Sequence, residues 1–246
     1  MLSKTHTKYI QSLLHKKFRD ESGLFIAEGP KVVMDLLAGR KFVCKELFAV
    51  EDWIQEQGSS VPKDAVITEV KDFELKKISS LSTAHSVLAV FEKRKPDPKI
   101  QTASKIVLAL DTIQDPGNLG TIIRIADWFG VSDIVCSIGC ADMYNSKVVQ
   151  STMGSLGRVN VIYTDLVEWL KKNKQTKIYS ASLDGKDVST VGKLKEGIII
   201  IGNEANGISD EVINLVNEKI TIPKRGEAES LNAAVATGII LSHLKS

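Results

Sequence analysis

Four consecutive isoleucines, Ile198–Ile201, followed at once by Gly202-Asn203-Glu204, constrain this chain more than any other stretch. An apolar run this short, closed by glycine, reads as a strand buried on both faces. Such a strand needs helices above and below a mostly parallel sheet. Ligands of open α/β sheets gather where strands end and loops begin. An amide and a carboxylate therefore arrive at the edge where function collects. The plan repeats at Ile222-Pro223, where a short apolar strand leads through a polar glycine loop to Ser230-Leu231-Asn232 and a helix. That helix carries Ala233, Ala234, Ala236 and Gly238, small residues that admit close packing. Ser230 is placed to cap it.

Elements alternate along the whole chain. A helix is predicted over 6–19 from the spacing of Ile10, Leu13, Leu14 and Phe18. Strands follow at 23–29, 42–50, 65–68 and 86–91, with helices from Pro30, over 51–57 and near 71–78. This alternation predicts a small α/β domain over residues 1–95. Pro96 and Pro98 among charged residues mark a stiff linker, 96–104, before a second domain over 105–246. There a strand at 106–110 enters Asp111–Gly120, whose Asp115-Pro116-Gly117-Asn118 is turn chemistry. A helix runs to Phe129 and stops at Gly130. Strands at 133–137, 159–163 and 177–182 alternate with helices at 146–155 and 165–172, and Leu183-Asp184-Gly185 reads as a loop.

Several function classes are excluded by what the sequence lacks. No apolar run approaches the ~20 residues of a membrane span, and the first residues have no signal-peptide core, so the protein is read as cytoplasmic. Cys44, Cys136 and Cys140 and the four histidines show no metal-ligand spacing, and no metal is expected. Neither a dinucleotide fingerprint nor a P-loop is present. The net charge is only +2, yet residues 1–19 hold five cations and no acid. Lys16, Lys17 and Arg19 are accordingly candidate contacts to an RNA phosphate backbone.

Three blocks occur in order: Asp115-Pro116-Gly117-Asn118-Leu119-Gly120 with Arg124; Gly202-Asn203-Glu204 with Gly207; and Ile222-Pro223 with Glu229-Ser230-Leu231-Asn232. Together they resemble the three motifs of the SpoU (TrmH) family of RNA 2′-O-ribose methyltransferases, in the SPOUT superfamily. The resemblance spans about residues 105–244. Lys17-Phe18-Arg19, Gly23-Leu24-Phe25 and Glu28-Gly29 are similar to the substrate-binding domain that many members carry. The resemblance implies a C-terminal sheet tied in a deep trefoil knot, S-adenosylmethionine held in a bent pose, and a homodimer whose active sites draw on both subunits. Its N-terminal part implies structured RNA as substrate, ribosomal RNA rather than transfer RNA. Gln150 stands where an arginine is common in the family, and Gly157 and Asn160 replace a frequent phenylalanine and proline; these departures bear on substrate fit.

By match to the motifs, Gly202, Ile222 and Leu231 are the cofactor-binding residues. Arg124, Asn118, Glu204, Ser230 and Asn232 form the catalytic set. A guanidinium stays protonated in proteins, so Arg124 is expected to hold a phosphate and stabilise a developing oxyanion rather than act as the literal base. Asn118 orients Arg124 or the ribose, Glu204 fixes a partner or accepts a proton, and Ser230 and Asn232 position the hydroxyl or cofactor. The alternative from another class is a non-catalytic RNA-binding or ribosome-assembly module that keeps the fold.

Overall fold

The computed structural model describes residues 2–245. The chain divides into two compact units. One comprises Met1–Lys95 and Asp142–Arg158, the other Pro96–Ala141 and Val159–Ser246.

In the first unit, helices α1 (Lys4–Ser12), α2 (Lys16–Ser22), α3 (Pro30–Gly39), α4 (Glu51–Gln57) and α5 (Asp72–Ile78) surround strands β1 (Leu24–Glu28), β2 (Cys44–Ala49), β3 (Val66–Glu69) and β4 (Val87–Glu92). The sheet order is β1-β4-β2-β3, with β4 antiparallel to both its neighbours. Alternation along β1 divides the core. Ile26 joins Ile10, Leu13, Phe48 and Ile78 in one apolar cluster, whereas the Phe25 ring meets those of Phe42, Phe91 and Tyr144.

The single helix expected over 6–19 is two helices, and Arg19 supplies the reason. Its guanidinium donates to the carbonyls of Leu13 (3.0 Å) and Leu14 (2.7 Å), just past the end of α1, and pairs with Asp142 at 2.7 Å. Only 2% of Arg19 is exposed. It therefore cannot reach a phosphate backbone, which corrects the assignment of Arg19 as an RNA contact.

The second unit is built on β5 (Ile106–Leu110), α6 (Pro116–Trp128) and β6 (Asp133–Ser137). After α7 (Ser146–Thr152), which belongs to the first unit, it continues with β7 (Asn160–Thr164), α8 (Leu166–Lys172), β8 (Ile178–Asp187) and β9 (Gly197–Ile201), then α9 (Asp210–Ile213), β10 (Glu218–Thr221) and α10 (Ala233–Leu244). The six-stranded sheet, β10-β8-β9-β5-β6-β7, is parallel throughout. The isoleucine run is β9, buried along its whole length, with β5 and β8 as neighbours. Ile198 and Ile200 pack with Leu166, Leu170 and Val212 on one face; Ile199 and Ile201 point to the other.

Several boundaries differ from expectation: residues 115–118, expected as a turn, open α6, and the helix expected over 146–155 ends at Thr152. Strand β8 does not stop at Ser182. Its pairing to β10 steps from Ser180↔Lys219 to Lys186↔Ile220, so residues 181–185 form a wide bulge, not a terminal loop. A side chain at Gly185 would strike the Lys219–Ile220 backbone at 2.7 Å, so only glycine admits this approach. The last strand is Glu218–Thr221, and Ile222-Pro223 lies just beyond it, where the proline's missing N–H removes no ladder bond.

Candidate active site

Helix α6 begins at Pro116, with Asp115 as its cap accepting from the Asn118 amide at 2.8 Å. This places Asn118 in the first turn, at the edge where β5 ends. Its side-chain Nδ2 donates to Glu204 Oε1, and its Oδ1 accepts from Asn232 Nδ2 at 2.7 Å. The direction of this chain is set from both ends. An ionised carboxylate only accepts, so Asn118 must turn its NH2 toward Glu204. At the far end, Asn232 Oδ1 is committed to the Ala234 and Val235 amides (3.0 and 3.2 Å), which leaves its NH2 for Asn118. Asn118, Glu204 and Asn232, drawn from the three separate blocks, thus form one polar chain.

The helix cap is Asn232, not Ser230. Ser230 is exposed and lines a cleft of about 780 Å³, within the ~300–1,000 Å³ usual for small-molecule sites. Gly202, Ile222 and Leu231 also line it, with Glu204 among the polar groups and Ile201, Ala236 and Ile240 among the apolar ones. At Gly202 a Cβ would lie 2.5 Å from the Gly207 backbone, so the tight turn of this wall requires glycine. Apolar walls with backbone amides and a few polar side chains suit an adenosyl group, and this donor set fits S-adenosylmethionine.

Arg124 is placed differently. It lies on the exposed face of α6 with Thr121 and Trp128, six residues and about 9 Å of helix rise beyond Asn118. It does not line the cleft and is not bonded to Asn118 or Glu204. Within one chain, Asn118 is bonded to Glu204 and Asn232 and not to Arg124. Lys16 and Lys17 are exposed but paired one turn on, to Asp20 (2.7 Å) and Glu21 (3.9 Å). Hydrogen bonds from Lys16 and Lys93 lower the Asp20 pKa to about 2. Such exposed pairs contribute little and yield readily to a phosphate.

Near the same strand ends, Cys140 has its thiol lowered to about 7, first through the hydrogen bond from Cys136 and further by donors at Ser137 and Ile113. Sequence reasoning gave no role to Asn203, although it lay inside a quoted block. Its Nδ2 donates to Thr112 O at 2.8 Å, and its Oδ1 accepts from Ala205 and Asn206, folding the loop on which Glu204 sits. Among the described residues no cluster of potential metal ligands occurs.

Residues 105–242 match the SpoU rRNA Methylase family, and residues 4–89 match the MRM3-like substrate binding domain. The chain belongs to the SpoU rRNA methylase family. A Bacillus subtilis relative named 23S rRNA (guanosine(2553)-2′-O)-methyltransferase is 30% identical over 94% of this chain and 92% of its own length. Among solved structures, a TrmH-family protein from Porphyromonas gingivalis is 35% identical with a TM-score of 0.88, covering 100% of this chain and 98% of that one. An AdoMet-bound rRNA methyltransferase from Sinorhizobium meliloti is 31% identical with a TM-score of 0.88, covering 99% and 95%. The SpoU match takes in all three blocks from which the polar chain and the cleft are built.

Proposed function

We propose that the protein is an S-adenosylmethionine-dependent RNA methyltransferase acting on a ribose 2′-hydroxyl of ribosomal RNA. The observation that carries this reading is the Asn232–Asn118–Glu204 chain at a cleft fitted for an adenosyl group, in a member of the SpoU family. Bound S-adenosylmethionine supplies an electrophilic methyl group. Gly202, Ile222 and Leu231 hold it and exclude water. Glu204, fixed by Asn118, faces the position where a ribose hydroxyl must lose its proton, and Ser230 hydrogen-bonds that hydroxyl. Alignment of this kind supplies much of the barrier lowering in a displacement, on the order of several kcal/mol.

Arg124 enters this scheme through a second copy of the chain. Its exposed face of α6 carries Trp128, 84% exposed, and α10, which packs on α6, carries Val235, 51% exposed. These side chains offer apolar contacts to a second copy, and a homodimer brings one copy's Arg124 to the other's cleft, where it stabilises the developing oxyanion. The trefoil knot belongs with the same reading: the segments on either side of α9 and β10 both return to the cleft. RNA docking falls to the N-terminal domain, with Lys16 and Lys17 at phosphates, and methyl transfer to the C-terminal one, in the cytoplasm. The test is to map 2′-O-methylated nucleotides in ribosomal RNA from cells with and without the gene, alongside transfer of radiolabelled methyl groups by the purified protein. Identical maps and no transfer would refute the reading.

A further inference from the structure

Strand β5 ends at Leu110, and the next two residues are not spent on a simple turn. Asp111 is 5% exposed. Its Oδ2 accepts from both the amide (2.9 Å) and the hydroxyl (2.8 Å) of Ser209, and its Oδ1 accepts from Thr112 Oγ1 at 2.9 Å. Ser209 sits at the N-cap of α9, yet its side chain does not cap that helix; it is turned to Asp111 instead. Thr112 has φ +60°, a left-handed conformation that is uncommon for a β-branched residue and persists only where its surroundings impose it. The Ser137 hydroxyl receives its N–H at 2.9 Å, and its carbonyl receives the Asn203 side chain at 2.8 Å.

These bonds grip one loop at both ends. Asn203 is held by Thr112 at the entry, Ser209 by Asp111 at the exit, and the backbone between them closes through paired Asn203–Gly207 bonds of 2.9 Å. Glu204 and the Gly202–Ile208 wall of the cleft lie on the segment so fastened. The groups facing the Asp111 carboxylate are neutral donors, so their geometry, and not a counter-charge, sets its environment.

We propose that Asp111, through Ser209 and the left-handed Thr112, is a positioning residue that holds the 203–209 loop, and with it Glu204 and the donor-binding wall, in the reactive geometry. This rests on the methyl-transfer reading above. A carboxylate is needed because the position must accept three hydrogen bonds. An amide that keeps its oxygen toward Ser209 turns its NH2 on Thr112 Oγ1, reversing that bond, and it removes the charge that strengthens both Ser209 bonds.

The experiment compares the full chain with Asp111→Asn and Ser209→Ala. Amide hydrogen exchange reads the loop, calorimetry reads S-adenosylmethionine affinity, and steady-state kinetics separate kcat from KM for RNA. The expected result is faster exchange over residues 203–213 with β5 amides unchanged. Donor affinity falls about ten-fold or more, the loss typical when a hydrogen bond to a charged group is removed, kcat falls with it, and KM for RNA stays. Ser209→Ala keeps the amide bond to Asp111 and should show the same pattern more weakly; it decides the matter if Asp111→Asn does not fold. Unchanged loop exchange, or donor affinity within about two-fold of wild type, overturns the proposal. If the wild-type protein itself binds no S-adenosylmethionine, the functional reading fails, and the exchange data still report whether the latch exists.

Discussion

Asn232→Asp separates two jobs that one side chain performs. Asn232 Oδ1 caps α10, and its Nδ2 donates to Asn118. Aspartate caps a helix about as well as asparagine, and a negative charge at a helix N-terminus adds about 0.3–1 kcal/mol. Both this variant and Asn232→Ala lose the bond to Asn118, but only aspartate keeps the cap, so Asn232→Asp should be the more stable of the two by about 1 kcal/mol. Aspartate has no donor, however. Its free oxygen would face Asn118 Oδ1, so Asn118 must either lose that bond or flip and turn its own oxygen toward Glu204. Losing one hydrogen bond, or setting acceptor against acceptor, costs about 1–3 kcal/mol. At the reacting centre this is about a 5- to 100-fold fall in kcat/KM. Asn232→Ala loses the chain and the cap together, so it should also unfold about 2–4 °C lower for a ~1 kcal/mol cap. Thermal unfolding and radiolabelled methyl transfer on the same preparations give both readouts. Full activity in Asn232→Asp, or a melting shift as large as that of Asn232→Ala, would refute the separation of roles.

Arg124→Ala is expected to bind S-adenosylmethionine normally and to lose about 100- to 1,000-fold in kcat, the scale of an oxyanion contact; unchanged turnover removes Arg124 from the chemistry. Because that arginine is assigned to a partner's cleft, mixing inactive Arg124→Ala with an inactive Asn118→Ala should restore activity, and a mixture as dead as its parts would place both residues in one copy's site. Arg19→Ala leaves the Asp142 carboxylate and two carbonyls without their donor, at about 3–5 kcal/mol of stability, whereas Lys16→Ala with Lys17→Ala should change denaturant midpoints little and instead flatten the salt dependence of RNA binding. Cys140, lowered to about 7, is mostly thiolate at pH 8 and neutral at pH 6, while burial raises the Cys44 thiol to about 12. Iodoacetamide should therefore label Cys140 first, with a rate that climbs through pH 7, and an inflection near 9 would contradict that environment.

What the sequence made legible follows from how local each signal is. The isoleucine run and the glycine stop after α6 are written within a few residues, and β9 and the end of α6 sit where those residues put them; Asp115-Pro116-Gly117-Asn118, expected as a turn, instead opens α6, because a cap and a proline at a helix start look the same in sequence as turn residues. Asn118, Glu204 and Asn232 come together because each stands at a strand end or a helix start on one edge of the sheet. Arg19 was illegible because its partner, Asp142, is 123 residues away and a cation among lysines looks like surface charge. The β8 bulge was hidden for a similar reason: its cause is the close approach of β10 at Gly185, not anything in residues 181–185 themselves. Ser230 and Asn232 are both good cap residues, and they are distinguished only by where α10 begins, at Ala233, which puts the Ala234 and Val235 amides on Asn232.

Tyr144 and Asp142 give the first unit a property that the order of its strands does not convey. The ring against Phe25 and the carboxylate on Arg19 are both supplied by a segment made some fifty residues after β4. A ribosome that has released only the first hundred residues has released an unfinished body, with an aromatic face wet and a buried cation unanswered. Anyone excising this half for crystallisation or RNA titration should graft residues 142–158 onto it, since a cut at the proline-rich joint alone yields a fragment with its own keystone missing.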